Sequence, residues 1–275
     1  MSRKSLLFLS VLLLCNFSSF AKPLEMPPRP DEVKEIYPDV LPGYLALESL
    51  PNGLTLIPLP PEKGSKAEAL DLDLNQKMLK CKGSARWKLA ISDAELKFPH
   101  AAGAFSCALG VEITKKDMPN LYRLLRRSAT DAGFSTFMAK KKYQRERPFM
   151  VNNQPTCDPS KEAHLKTSGA YPSGHSAVGW AWALILSEIS PEQSDAILAR
   201  GRAFAQSRAV CNVHWQSDIA NGSVIGAATY SKQHSSESFQ SAIKAAKVEL
   251  AIDRKQGNKP ILHCENEAKA LAIIL

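Results

Sequence analysis

The sequence lacks several features that would indicate particular classes of protein. After its first residues it has no apolar run of the ~20 residues that a membrane-spanning helix needs, and the longest run lies near Ala177–Leu186. None of its cysteines forms a CxxC pair or another close metal-ligand spacing, so no zinc site is predicted. Positive and negative residues are interspersed, with a formal net charge of +8. Nucleic-acid binding is not required by this balance, and a basic pocket for a small anion is sufficient.

The first residues have the pattern of a secretory signal peptide. Arg3 and Lys4 make the start positive, Leu6–Leu14 is an almost unbroken apolar run, and a small-x-small cleavage site ends at Ala21. We therefore predict that residues 1–21 are a cleaved signal peptide and that no integral membrane segment remains. The predicted location is the periplasm, and release from the cell is left open.

The composition divides the remaining chain into three parts. Residues 22–64 hold ten of the 18 prolines, which predicts an extended proline-rich arm rather than a second domain. From residue 65 onward, apolar residues recur at helical spacing, and no convincing strand alternation is found outside the arm. The predicted fold is all-α, a single helical bundle domain over residues 65–253 around the buried helix Pro172–Ile189. Residues 254–275 form a C-terminal tail without a clear pattern.

The periodicity also predicts the other helices of the bundle and one long loop. The loop is Val151–Ser168, and Gly133 is expected to interrupt the longest helix. The predicted helices are Ser65–Lys80, Ser84–Phe98, Ala101–Gly110, Lys115–Met138, Glu192–Val210, His214–Tyr230 and Ser236–Asp253.

The segment Ser207–Asp218 (SRAVCNVHWQSD) holds the first candidate site residues. If it is helical, His214 and Asp218 stand at i and i+4 and can touch. A carboxylate on one ring nitrogen fixes the histidine tautomer and leaves the other nitrogen free as a base or nucleophile. Arg208 can bring a positive fork to the same place. The alternative is a helix with one surface ion pair and a buried histidine.

The second segment, Tyr171–His175 (YPSGH), precedes the apolar helix. Pro172 suits a first helical turn, and the free N–H groups of Ser173, Gly174 and His175 would then point at an anion. Gly174 lets the backbone approach a ligand closely, the Ser173 hydroxyl adds a donor, and His175 can donate a proton to a leaving group. The alternative is a proline-initiated helix with an incidental histidine.

The third segment, KKKYQRERP, runs from Lys140 to Pro148. Lys140 and Arg147 each offer donors to a phosphate-like ion, Arg147 through its bidentate fork. Lys141, Lys142 and Arg145 are expected to stay solvated. The alternative for the whole run is a solvated helix end.

Taken together and in chain order, the three segments resemble a family signature: Lys-x6-Arg-Pro, then Pro-Ser-Gly-His, then Ser-Arg-x5-His-x3-Asp. The signature is that of the superfamily of type 2 phosphatidic acid phosphatases and vanadium haloperoxidases. The flanking stretches GAYPSGHSAVGWAWALILSEI and SRAVCNVHWQSDIANG are most similar to bacterial class A non-specific acid phosphatases. The resemblance covers roughly residues 65–230.

The resemblance implies a metal-independent acid phosphatase that hydrolyses small phosphomonoesters. His214 would carry a phosphohistidine intermediate, Asp218 would orient it, and His175 would act as acid and then as base. No metal or other cofactor is expected, because cationic side chains and helix N–H groups take its place. The oligomeric state stays open, a homo-oligomer included. The implied phosphate-binding residues are Lys140, Arg147, Ser173, Gly174 and Arg208.

Three other readings remain open at this stage. The protein could hydrolyse lipid phosphates or lipid-linked pyrophosphates at the membrane face, or use the same pocket for vanadate as a haloperoxidase. A non-enzymatic anion-binding protein would not need His175, His214 and Asp218 together.

Five cysteines follow the predicted signal peptide, and export makes disulfides feasible, but an odd number leaves at least one thiol unpaired. One pairing that we consider is Cys157 with Cys211, which would clamp the loop before the second segment. The other cysteines are Cys81, Cys107 and Cys264.

Overall fold

The computed structural model describes residues 25–259 and 264–273, and there it is all-α, as predicted. Those residues contain no strand, only an isolated bridge between Tyr37 and Val40. The predicted signal peptide lies outside them. The α-helices are α1 (Gly53–Leu56), α2 (Lys66–Leu79), α3 (Ala85–Asp93), α4 (Ser106–Leu109), α5 (Pro119–Phe134), α6 (Phe137–Tyr143), α7 (Pro148–Asn152), α8 (Glu162–Lys166), α9 (Gly174–Ile189), α10 (Ser194–Val210), α11 (Gln216–Gln233), α12 (Glu237–Lys255) and α13 (Cys264–Leu271).

The centre of the bundle is α9, which confirms the prediction for this apolar segment. It begins after Ser173, whose hydroxyl accepts the Ser176 N–H at 3.2 Å and caps the helix. It packs against α5, α10 and α11. Trp182 is fully buried at its middle, where the indole N–H donates to the Leu125 carbonyl at 2.9 Å. Because apolar residues cover most of its circumference, the helix is stable only when surrounded by others.

Two glycines allow α11 to lie close to the first turns of α9. A Cβ atom at Gly222 would be 2.4 Å from the Ser173 carbonyl oxygen, and one at Gly226 would be 2.4 Å from that of Ala177. Any side chain at these positions would push the helices apart. The close approach lets the Ser173 N–H donate to the Asp218 carbonyl at 2.9 Å, which joins two of the three predicted site segments.

The proline-rich arm lies on α5. Leu41 and Ile57 are buried, and the Tyr44 N–H donates to an Asp131 carboxylate oxygen at 2.9 Å. The Arg127 side chain donates to the Pro42 carbonyl at 3.0 Å. The arm is not extended throughout, because it contains the short helix α1 and a 3₁₀ turn at Leu47–Ser49. The division of the chain into arm, domain and tail remains a prediction.

The helix bounds differ from the predicted ones at several places. The second predicted helix ends at Asp93, and beyond it the Glu95 side chain accepts the Lys97 N–H at 2.8 Å in place of a helical backbone bond. The longest predicted helix, which was expected to be interrupted at Gly133, is two helices, α5 and α6. The break lies at residues 135–136, where the Ser135 and Thr136 hydroxyls donate to the carbonyls of Asp131 and Gly133. The predicted loop at 151–168 contains α8 and a 3₁₀ turn.

The C-terminal tail is attached to the bundle through α13. A disulfide joins Cys107 to Cys264, and Glu267 lies 3.1 Å from the buried Arg200 guanidinium. No local pattern in the tail predicts these contacts. Within the described residues, no helix is both long and apolar enough to cross a membrane.

Candidate active site

The three segments singled out in the sequence meet at the start of α9. Residues 140–148 run from the end of α6 to the start of α7, residues 171–175 lead into α9, and residues 207–218 connect α10 to α11. Arg147 Nη1 lies 3.1 Å from His214 Nε2, and the Lys140 ammonium donates to the backbone carbonyl of Gly169, two residues before the second segment, at 2.8 Å. The predicted site residues therefore lie in one place.

His214 and Asp218 touch, but not for the reason that their spacing suggested. His214 precedes α11, whose N-cap is Trp215, so the two residues do not share a helical face. Asp218 turns back over the helix start instead: its Oδ2 accepts the Trp215 N–H at 2.8 Å and lies 3.3 Å from His214 Nδ1. A capping carboxylate thus also orients the imidazole. Since a carboxylate can only accept, Nδ1 carries the hydrogen and Nε2 is left with a lone pair.

Burial and neighbouring cations keep His214 neutral. The imidazole is almost completely buried, and this burial, together with the positive charges of Arg147, Lys140 and Arg208, lowers its pKa well below the usual value. Burial has the opposite effect on the acid partner and raises the pKa of Asp218 to about 6, although Arg145 opposes the rise. At mildly acidic pH the site thus holds an uncharged imidazole beside a carboxyl group near its titration point.

Arg147 is held rigidly, with its guanidinium facing His214. Its Nε donates to the Leu165 carbonyl at 3.0 Å and its Nη1 donates to the Val213 carbonyl at 3.0 Å. The disulfide between Cys157 and Cys211 confirms the pairing considered from the sequence. It joins the segment before α8, the helix that contains Leu165, to the end of α10. Burial lowers the pKa of Arg147 to about 10, so it remains charged at neutral pH.

Arg208 has buried donors that no described residue accepts. The residue is only 4% exposed, and its Nε and Nη1 atoms have no hydrogen-bond partner among the described protein atoms. Burial lowers its pKa to about 9, with Arg147 acting in the same direction. Because an unpaired buried cation is costly, these donors indicate a place for an anion.

Lys140 stands beside these guanidinium groups. Burial, with the nearby charges of Arg147 and Arg208, lowers its pKa to about 7, while Asp218 opposes the shift. Three basic side chains thus converge where no acidic group neutralises them fully. An arrangement of this kind binds an oxyanion with more than one negative charge.

The turn before α9 differs in one respect from the sequence expectation. Ser173 is the N-cap rather than a first-turn residue, and its N–H donates to the Asp218 carbonyl, so it is not free for an anion. Its hydroxyl oxygen accepts from the N–H and the hydroxyl of Ser176, at 3.2 and 2.9 Å, which leaves the Ser173 hydroxyl hydrogen to donate. A Cβ atom at Gly174 would meet nothing closer than Thr136 Oγ1 at 3.5 Å. The packing of the protein itself therefore does not require this glycine.

His175 lies at the first turn of α9, partly exposed, with Nε2 3.1 Å from the Ala94 carbonyl oxygen. Because a carbonyl only accepts, Nε2 carries a hydrogen and Nδ1 is available for proton transfer. Burial and the charges of Arg208, Arg147 and Lys140 lower the pKa of His175 well below its usual value.

Two side chains that contact this site were missed by the sequence analysis. Arg145, which was expected to be solvated, has a side chain only 11% exposed and lies between Asp218, at 2.6 Å, and Asp71 of α2, at 2.8 Å. The expectation was wrong because the chain after Gln144 is not helical; an extended chain places Arg145 and Arg147 on the same side. Lys141 and Lys142 are exposed as expected. Nothing in the local sequence distinguishes Asp71 from the other acidic residues of α2.

Residues 25–259 and 264–273 contain no group of three or more His, Cys, Asp and Glu side chains that could hold a metal ion. The acidic side chain that reaches the described site, Asp218, already bonds Arg145 and the Trp215 N–H.

Comparison with known proteins gives one family match and several similar proteins that are named acid phosphatases. Residues 125–231 match the PAP2 superfamily. A non-specific acid phosphatase of Providencia stuartii is 40% identical over 213 residues, which are 77% of this chain and 86% of that protein. A non-specific acid phosphatase of Salmonella typhimurium is 38% identical over 72% of this chain and 80% of its own length. An acid phosphatase of Zymomonas mobilis is 34% identical over 77% of this chain and 80% of its own length.

Proposed function

The chain belongs to the acid phosphatases of the PAP2 superfamily, and from this premise we propose that it hydrolyses small phosphomonoesters through a phosphohistidine at His214, without a metal ion and outside the cytoplasm. One observation carries the proposal: His214 has Asp218 against Nδ1, and its Nε2 lone pair faces the cations of the pocket. This is the arrangement of an activated nitrogen nucleophile next to an anion-binding site.

The first half-reaction transfers the phosphoryl group to the protein. The donors of Lys140, Arg147, Arg208, Ser173 and the Gly174 backbone hold the non-bridging oxygens. His214 Nε2 attacks phosphorus, the bond from phosphorus to the ester oxygen breaks, and that oxygen takes a proton from His175 Nδ1. The alcohol leaves, and the imidazole ring carries the phosphoryl group with Asp218 stabilising its positive charge.

The second half-reaction returns the protein to its starting state. His175, now neutral, takes a proton from a water molecule whose oxygen attacks phosphorus. The bond between phosphorus and Nε2 breaks, its electron pair returns to the ring, and inorganic phosphate leaves.

Substrate binding supplies the proton that His175 needs. Burial and three cations hold its pKa low, and a bound phosphate dianion neutralises the cations, so His175 takes up a proton together with the substrate. The same three cations stabilise the charge that develops on the phosphoryl oxygens, which is the contribution a metal ion makes in other phosphatases.

Export is supported by two observations. The first residues have the signal-peptide pattern, and the described chain has two disulfides, which persist in oxidising compartments.

A direct test traps the intermediate. Protein dialysed against EDTA is mixed with p-nitrophenyl phosphate, quenched, digested and mapped by mass spectrometry. We expect steady phosphate release and an alkali-stable, acid-labile phosphoryl group on the peptide that contains His214. A phosphoryl group on another residue, or activity restored only by added metal, would contradict the proposal. Activity solely on lipid phosphate vesicles, or bromide oxidation with vanadate and peroxide, would show the alternative functions.

The titrating groups predict a narrow pH profile. Asp218 must be ionised to hold His214, and its pKa is about 6. Lys140 must be protonated to bind the anion, and its pKa is about 7. We therefore expect kcat/KM to be highest near mildly acidic pH, to fall as Asp218 gains a proton below about pH 6, and to fall as Lys140 loses one above about pH 7.

We would measure kcat/KM against pH with two esters that have different leaving groups. The pH values at which kcat/KM falls are the same for both esters if the titrating groups belong to the protein. Lys140→Arg keeps a charge that does not titrate in this range. Its alkaline limb should move to higher pH even if the maximum is lower. An alkaline limb that stays in place would exclude Lys140 as its origin.

A further inference from the structure

A chain of buried ionic contacts extends from His214 to a helix outside the family signature. His214 Nδ1 contacts Asp218 Oδ2, and Asp218 Oδ1 accepts from Arg145 Nη1 at 2.6 Å. Arg145 Nη2 donates to Asp71 Oδ2 at 2.8 Å. Asp71 belongs to α2, whereas the PAP2 match begins at residue 125.

Asp71 also holds the start of α11. Its Oδ1 accepts the Ser217 N–H at 2.9 Å, and its Oδ2 accepts the Ser217 hydroxyl. Ser217 in turn accepts from Arg145 Nη1 at 2.7 Å. Asp71 is 3% exposed and Asp218 is fully buried, so water does not compete for these bonds.

From this geometry we propose that Arg145, anchored by Asp71 and Ser217, is a positioning residue for the phosphatase reaction. The inference rests on the proposed function of His214. Arg145 occupies Asp218 Oδ1 and leaves Oδ2 to the Trp215 N–H and His214 Nδ1, which fixes the rotation of the carboxylate and thus the direction of the imidazole. Arg145 acts through Asp218 and does not itself contact the substrate.

The ionisation of Asp218 provides a readout that a purely structural contact would not change. The charged and titratable groups that face Asp218 are Arg145, Lys140, Arg147, His214 and Tyr171. Among them Arg145 is the cation in direct contact with the carboxylate, so its removal favours the protonated form of Asp218. Neutralising Arg145 must therefore move the acid limb of kcat/KM to higher pH.

Two substitutions of Arg145 separate charge from geometry. Arg145→Gln removes both, and we expect kcat to fall about 10- to 100-fold and the acid limb to rise by about one pH unit. Arg145→Lys keeps the charge but cannot bond two carboxylates and a hydroxyl in one plane. We expect kcat to fall by a similar factor while the acid limb stays near its wild-type position.

Asp71→Asn tests the anchor on α2. Asp71 accepts from Arg145 Nη2, the Ser217 N–H and the Ser217 hydroxyl. An asparagine has one oxygen and one NH₂ group, so its NH₂ group would face at least one of these donors. We expect kcat to fall about tenfold with little change in KM, because no group in contact with the substrate is altered. Ser217→Ala, which removes a single hydroxyl, serves if Asp71→Asn does not fold.

The matched control is Glu249→Gln. Glu249 is buried like Asp71 and accepts backbone N–H groups, those of Asn120 and Leu121 at 3.0 Å, but it holds the start of α5. This variant should lose stability in urea while keeping wild-type kcat and acid limb. A folded Arg145→Gln protein with kcat within about twofold of wild type and an unmoved acid limb would overturn the inference. If Arg145→Gln behaves in this way and His214→Ala is inactive, only the role of Arg145 is contradicted and the proposed function still holds. If His214→Ala is active, both the proposed function and the role of Arg145 are contradicted.

Discussion

Replacing His214 by alanine is expected to lower kcat for phosphate release by about 10⁴-fold or more, because no other group can accept the phosphoryl group at that point. Nε2 is the ring nitrogen without a hydrogen, and Arg147 lies 3.1 Å from it, where we propose that an anion binds. The His214→Ala protein should still bind phosphate, since Lys140, Arg147 and Arg208 are unchanged. Competitive inhibition by inorganic phosphate and the rate of p-nitrophenyl phosphate hydrolysis, measured on the same preparation, separate the two effects.

His164→Ala is the control for this prediction. His164 is exposed in α8 and belongs to none of the three site segments, so its removal should leave kcat unchanged. A His214→Ala protein that keeps more than about one hundredth of wild-type kcat, with phosphate still bound, would remove His214 as the nucleophile.

The second large effect concerns Arg208, for which activity and stability should change in opposite directions. Arg208→Met is expected to lower kcat/KM about 10²- to 10³-fold, because the donors that meet the phosphoryl oxygens are lost. It is expected to raise the free energy of unfolding by about 1–3 kcal/mol, because two buried donors without partners are replaced by apolar atoms. Enzyme assays and urea unfolding of the phosphate-free protein measure both quantities.

Arg86→Met provides the opposite case within the same fold. Arg86 is as buried as Arg208, but its guanidinium donates to the Ser207 hydroxyl at 2.9 Å and to the Ala203 carbonyl at 2.8 Å. This substitution should destabilise the protein, since it removes two buried hydrogen bonds. If Arg208→Met destabilises as much as Arg86→Met, then Arg208 is a structural residue and the anion pocket is wrongly assigned. Added phosphate should stabilise wild type more than Arg208→Met.

These experiments also test whether the close approach of three cations, which is unfavourable in the protein without a ligand, favours the binding of an anion. Burial lowers the pKa of Lys140, Arg147 and Arg208, and the charge of Arg147 lowers the pKa of Lys140 and of Arg208 further. Positive charges that are largely removed from water therefore lie close together in the pocket, and we expect a bound phosphate dianion to neutralise them. Binding energy of this origin acts where charge develops in the transition state.

Much of the fold and site was predictable from local patterns. The all-round apolar composition of Pro172–Ile189 indicated a central helix, and α9 is that helix. The three segments contained the candidate site residues, and the structure brings them together. They could be singled out from the sequence because the chemical properties of histidine, arginine and a helix start do not depend on distant partners. The interruption of the predicted helix Lys115–Met138 was expected at Gly133 and lies at residues 135–136, because hydroxyl bonds there compete with the backbone hydrogen bonds of the helix.

The remaining features depend on contacts between distant parts of the chain. The contact of His214 with Asp218 arises from a helix cap, and that cap is held by Arg145, which itself depends on Asp71, 74 residues away. The close approach of α11 to α9 depends on Gly222 and Gly226 facing two carbonyl oxygens. Hydrophobic period and residue chemistry act over one or two turns, so they specify which helices form and which side chains can react. The partner of a buried charge is chosen by the packing of whole helices, and for that reason the support of the candidate site became apparent only in three dimensions.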